Sequence, residues 1–193
     1  MTILLLDAIK ERRSIYSFKK EEVDIELLKE IFTFGTYAPT HYMKEPWQIK
    51  LYQKSGKNHF IEEVIKSYQR IGMIKTSKDE KTLKMIDSMR EFLNAIPHHA
   101  LIYYEKENDP IRNDEEYAAV CAFIQNVQLA AWQYGVGVLW TITPYMYDQE
   151  FHESVGLDSD VVKIAAVLQM GFPKKVPPMR ERTPIEGKLE IIT

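Results

Sequence analysis

Apolar and polar positions recur along the chain with two periods, and the changes of period mark its elements. Near the N-terminus, Ile3, Leu6 and Ile9 fall on one helical face with Leu5 beside them. From Asp24, a good N-cap, Ile25, Leu28, Ile31 and Phe32 follow helical spacing up to Gly35, and Ala38-Pro39 should stop that helix. Trp47 to Tyr52 alternates as a half-buried strand does. Beyond the turn residues Lys54-Ser55-Gly56, Phe60, Val64, Ile65 and Tyr68 predict a helix. Leu83, Ile86, Met89 and Leu93 predict a second, more charged one that ends before Pro97. Ala100 to Tyr104 is a continuous apolar run, the pattern of a buried strand.

The longest helix is predicted from Asp114 to Tyr134. Its stripe is Tyr117, Val120, Cys121, Ile124, Val127, Ala131 and Tyr134, and Ala118, Ala119, Ala122 and Ala130 would permit close packing. Gly135-Val136-Gly137 ends it as a helix stop with a close backbone approach. Val138 to Ile142 reads as a strand, Asp148 to Val155 as a short helix and Val162 to Met170 as a last strand. Gly171-Phe172-Pro173 opens a proline-bearing tail. No repeat or linker divides the chain, so residues 1–193 are expected to form one domain. Strands interleaved with more numerous helices give a layered fold, α/β or α+β. In the 57–95 region, Tyr68, Met73, Met85, Met89 and Phe92 read first as packing residues and alternatively as the lining of a lid.

Composition narrows the functional classes. The 193 residues are 45% hydrophobic and 27% charged with a formal net charge of −3, so no global field draws nucleic acid or an anionic membrane. A nucleic-acid module built on Arg12, Arg13, Lys19 and Lys20 is opposed by Glu21-Glu22, which follow at once. The single cysteine, Cys121, excludes an internal disulfide framework and lies in an apolar stripe without a nearby cation, the setting of a structural thiol. His98-His99 read as packing or strand-edge residues, and His152-Glu153 belong to no spaced ligand set. There is no phosphate-binding glycine motif and no Ser-His-Asp arrangement. The N-terminal apolar run is too short for a signal sequence and no stretch reaches the roughly 18 apolar residues of a spanning helix. The expected location is cytoplasmic.

Packing leaves three places unexplained: Arg12-Arg13-Ser14, the loop from Ala38 to Trp47 with His41, and the tail from Met179 to Pro184. Adjacent guanidiniums at a helix end either complement the helix dipole in solvent or grip phosphate and carbonyl oxygens in pairs. Arginines near both ends of the chain would suit an anion at a junction. A tail without a core of its own would lie across another surface, such as a partner subunit's.

In order along the chain, Arg12-Arg13-Ser14, Ala38-Pro39-Thr40 with Pro46-Trp47, Gln125 to Ala131 leading into Gly135-Val136-Gly137, Gly171-Phe172-Pro173 and Arg182-Thr183-Pro184 resemble the nitroreductase family of FMN-dependent oxidoreductases. The histidine of the Ala38-to-His41 loop looks most like the compact YdjA-like branch. The resemblance implies an α+β three-layer fold, with a mostly antiparallel or mixed sheet flanked by helices and a C-terminal arm, residues 171–193, that crosses to the partner. It implies a homodimer with FMN at the subunit interface and NAD(P)H as co-substrate. Hydride would pass through flavin N5 to a nitroaromatic, quinone or similar acceptor by ping-pong kinetics, with no catalytic side chain and no metal. By similarity, Arg12, Arg13 and Ser14 would hold the phosphate, ribityl and pyrimidine parts of FMN, and Arg182 the phosphate. Trp140, Thr141 and Ile142 would line the flavin, and Tyr37 and His41 would reach it from the other subunit.

The chain departs from the family pattern at Tyr16, where many members have a third arginine, and at Met43 and Glu45, where many have asparagine and glutamine. Lys44 is expected to neutralise Glu45. These departures keep open an FMN carrier or sensor dimer with little turnover.

Overall fold

Two apolar runs, too continuous to leave a wet face, become the inner strands of the sheet and carry a core on each side. In the computed structural model, which describes residues 5–77 and 79–193, the strands are β1 (Gln48–Gln53), β2 (His98–Glu105), β3 (Gly137–Thr141) and β4 (Val162–Gly171). They lie in the order β1-β2-β4-β3. Every ladder is antiparallel, so the sheet is not mixed; the parallel pairing among the described residues is an isolated bridge between Ser14 and Val138.

On one face, Ala100, Ile102, Tyr104, Ala166 and Leu168 pack with α2 (Ile25–Gly35) and α5 (Pro110–Gln133). On the other, Leu101, Ile164 and Val167 pack with α3 (Gly56–Arg70) and α6 (Gln149–Ser154), while Ile86, Met89 and Leu93 of α4 (Glu80–Asn94) close its margin. This is an α+β layered fold, and its strands fall where the periodicity placed them. No helix among the described residues is long and apolar enough to cross a membrane.

The 57–95 region is a helical hairpin. Lys57 Nζ donates to the carbonyls of Asn94 and Ile96 at 2.8 Å each, satisfying the open end of α4. Arg90 grips Glu62 through Nε and Nη2 at 2.5 and 3.2 Å. Tyr68 and Met89 pack, whereas Met73, Met85 and Phe92 are exposed. α5 begins at Pro110 rather than Asp114, because Asp109 caps it by accepting from Ile111 N–H at 2.8 Å and proline suits the first helical position.

α1 (Leu5–Glu11) departs most from expectation. Its helix forms, but Ala8 alone is buried; Leu5, Leu6 and Ile9 face out, Leu6 at 68% exposure. Ile3 lies outside the described residues. Among the described residues, Leu5, Leu6 and Ile9 of the predicted stripe therefore belong to no core cluster.

His98 and His99 sit on the inner strand β2 with no exposure, so the strand-edge reading is corrected. His98 Nε2 accepts from Val23 N–H at 3.0 Å, and His99 Nε2 donates to the Leu93 carbonyl at 3.0 Å. Burial, more than the nearby Lys57, pushes the His99 pKa from 6.5 down to about 4, and burial also lowers that of His98. A folded-state value below the unfolded one means that the unfolded chain binds the proton first. The stability contribution is then complete above pH 6.5 and is lost as pH falls toward about 4. The loss should amount to at most about 3 kcal/mol for His99. Urea unfolding in steps across that window measures it, and His99→Gln should flatten the slope.

Candidate functional site

The chain leaving α1 is held in three places. Arg12 N–H closes the last helical turn on the Ala8 carbonyl at 2.9 Å. Ile15 N–H then donates to Val138 of β3 at 3.2 Å, and Lys19 N–H to Phe172 at 2.8 Å, while Lys174 N–H returns to Ser17 at 2.9 Å. Ile15 is fully buried and lies against Gly137, where an added Cβ would come within 2.6 Å of its side chain. Gly135 makes the turn ahead of it at φ +72. The two glycines thus perform the helix stop and the close approach that their spacing suggests.

This docking draws the N-terminal arginines against the tail. Arg12, Arg13, Arg180 and Arg182 line one cleft of about 200 Å³ with Ser14 and Tyr16; Pro177 and Pro178 complete it, and no carboxylate is among the lining residues. Arg13 Nη1 donates to the carbonyls of Lys10 and Arg12 at 2.7 Å each, so one guanidinium does cap the helix end. Arg12 Nη1 donates to Gln128 Oε1 at 3.2 Å, but its buried Nε has no partner. Burial lowers the Arg12 pKa first, and the like charges of Arg182 and Arg13 lower it further. The cleft concentrates positive charge and hydrogen-bond donors, a donor set complementary to an anion.

β3 continues from Val138 to Trp140 and Thr141. Trp140 is partly buried against the main core with an unpartnered buried Nε1, Thr141 Oγ1 donates to the Val167 carbonyl at 2.9 Å, and Ile142 is exposed.

Tyr37 and His41 lie elsewhere. His41 lines a separate cleft of about 330 Å³ with Pro39, Thr40, Glu115, Ala118 and Ala119. Its Nδ1 meets Glu115 Oε2 at 2.7 Å, and its ring stacks on Tyr42 at 4.2 Å between centroids. Tyr37 is 79% exposed. The connecting loop is unusual in its backbone: Tyr42, Met43 and Glu45 have φ of 50, 55 and 48, left-handed values that cost non-glycine residues roughly 1–2 kcal/mol each. Lys44 does not pair with Glu45. It bridges Glu107 and the buried Glu116, the latter at 3.0 Å, because the left-handed turn aims neighbouring side chains apart.

One chain thus gathers Arg12, Arg13, Ser14 and Arg182, adds Arg180, and leaves His41 in another cleft. Gln128 and Glu115 were not singled out from sequence; a polar residue on the buried stripe of α5 was the available signal for Gln128. Lys163 acts on Cys121 from across the fold, against the expectation of no cation nearby, but burial dominates and raises the thiol pKa. Among the described residues no three His, Cys, Asp or Glu side chains converge as a metal site.

The family model described as "Nitroreductase family" matches residues 9–172. The chain is 32% identical over 186 residues to YfhC of Bacillus subtilis (strain 168), whose name places it provisionally among NAD(P)H nitroreductases; the match covers 96% of this chain and 92% of YfhC. A nitroreductase-like family protein from Bacillus cereus superposes with a TM-score of 0.88 at 33% identity, covering 100% of this chain and 97% of that one. The FMN-dependent nitroreductase NfnB from Mycobacterium smegmatis, solved in complex with NADPH, shares the fold at a TM-score of 0.71 and 15% identity, covering 96% of each chain.

Because Ile15 has no room to retreat, Gly137→Ala should destabilise the protein by about 1–3 kcal/mol and displace the 12–18 segment. Thermal unfolding of the variant checks the first effect. Faster amide hydrogen exchange at Ile15 and Lys19 than in the parent protein checks the second.

Proposed function

The chain belongs to the nitroreductase family, and from that premise we propose that it is one subunit of a homodimeric FMN-dependent oxidoreductase that moves hydride from NAD(P)H to a nitroaromatic, quinone or similar oxidised acceptor. The observation that carries this reading is the cleft of four arginines without a lining carboxylate. A phosphate monoester fits that donor set, since its oxygens accept from several guanidiniums at once and its charge relieves their mutual repulsion. The buried Nε of Arg12, which has no partner, is a further donor.

Bound FMN would supply hydride acceptance from the nicotinamide and delivery to the acceptor, two half-reactions that share one pocket and so give ping-pong kinetics. The protein's part is to bind, orient and exclude water. Arg182 and Arg12 hold the phosphate, Arg13 and Ser14 the ribityl and pyrimidine parts, and Trp140, Thr141 and Ile142 line the ring. Tyr37 and His41 complete the site from the second subunit. No protein nucleophile is required, in keeping with a Cys121 thiol held protonated by burial.

Unpaired apolar surface supports the homodimer. Leu5, Leu6 and Ile9 of α1 are exposed beside an open cleft of about 340 Å³ whose lining includes Leu5, Ala8, Phe34, Leu129 and Tyr134. Residues 174–193 carry Met179, Ile185, Leu189 and Ile191 exposed, as an arm laid over a partner would.

The purified protein should show flavin absorbance that bleaches on anaerobic addition of NADH or NADPH. Flavin bands that persist with both would favour a flavin-handling dimer. A colourless protein that takes up no added FMN would sink the reading. Arg182→Ala should weaken FMN binding about ten- to a hundredfold, the factor for one charge-assisted hydrogen bond, as measured by flavin fluorescence titration.

A further inference from the structure

Left-handed backbone at three non-glycine residues in one short loop needs something to hold it. Packing of their own side chains does not, since Tyr42 is 91% and Met43 75% exposed and Glu45 is exposed as well. Two backbone hydrogen bonds define the loop, Lys44 N–H to the His41 carbonyl and Glu45 N–H to Thr40 Oγ1, both at 3.1 Å. The strong contacts to the rest of the fold are made by polar and charged side chains. Lys44 joins Glu107, just after β2, to Glu116 on α5. His41 meets Glu115, the residue before Glu116, at 2.7 Å. Glu116 is only 6% exposed, and a carboxylate so placed needs a cation or it destabilises the helix that carries it.

We propose that Lys44 is a positioning residue: the Glu107–Lys44–Glu116 cluster and the His41–Glu115 contact form a clamp that keeps Tyr42, Met43 and Glu45 left-handed and fixes His41 for the flavin site. The clamp is a property of the single chain. Its effect on turnover rests on the FMN reading given above. α5 supplies both Glu115 and Glu116, so the helix that packs the main core also sets the loop. Three of the four left-handed non-glycine residues among the described residues then lie in a stretch tied to Glu107 and α5 by these side-chain contacts.

The test is amide hydrogen exchange on the full-length, flavin-free protein. Lys44→Met should raise exchange at the amides of residues 44 and 45 about tenfold with the β2 and β4 amides unchanged, and Lys44→Arg should keep the protection. Should Lys44→Met fail to fold, Lys44→Met/Glu116→Gln leaves no unpaired buried carboxylate and gives the same readout. Exchange within twofold of the parent protein in Lys44→Met, or in the double variant, would overturn the clamp. In flavin-loaded protein, Lys44→Met should lower kcat at unchanged FMN content; increased exchange with unchanged kcat would overturn the positioning role. Failure of the FMN reading would leave the exchange result intact, so the two failures are distinguishable.

Discussion

The contact on which the site depends is Ile15 against Gly137. Ile15 is fully buried, and a side chain at residue 137 would overlap it. That contact lets the segment after α1 bond to β3 and to the chain beyond β4, and so brings arginines from the two ends of the sequence into one cleft. A guanidinium cluster has no attraction of its own to offset the repulsion among its members. Its assembly is driven by apolar burial nearby, with the charges carried along.

The two polar regions of the chain are opposites in charge balance. At the arginine cleft, like charges gather and a buried Nε goes unpartnered. At the 40–46 loop, Glu116 is answered by the opposite charge of Lys44, and His41 lies against Glu115. The first arrangement suits a ligand that arrives from outside. The second suits a loop whose shape is set before any ligand arrives. Both sit on α5, through Gln128 near one end and Glu115-Glu116 near the other, so one well-packed helix relates them rigidly.

The same helix explains why a single chain looks unfinished. α5 is buried along one side by the sheet and α2, while Leu129, Ala130 and Tyr134 line an open apolar cleft with residues of α1 and α2. The leucines of α1 are exposed as well, and so are Met179, Ile185, Leu189 and Ile191 of the tail. Exposed apolar area of this kind suits an interface between copies.

Much of the architecture was legible from periodicity. β2 was legible as a continuous apolar run, β4 as a last strand, Asp24 as a cap that accepts from Glu26 N–H at 2.9 Å, and Gly135-Val136-Gly137 as a stop with a close approach. Local signals sufficed there because caps, turns and strand faces are decided within a few residues. α5 starts at Pro110 rather than Asp114, because the Asp109 cap and the proline after it begin the helix earlier than its apolar stripe does. The arginines were visible as unexplained charge, and family resemblance gave them a role. What the sequence by itself determined is therefore the order of elements, the two-faced sheet and the identity of the residues without a packing purpose. Only the tertiary structure decided that α1 turns its apolar face outward, that Arg180 joins Arg12 across the length of the chain, and that Lys44 answers Glu116 rather than its neighbour Glu45. These are pairings between residues far apart in sequence. No local period encodes them, because they depend on which surfaces meet once the cores on both faces of the sheet have closed.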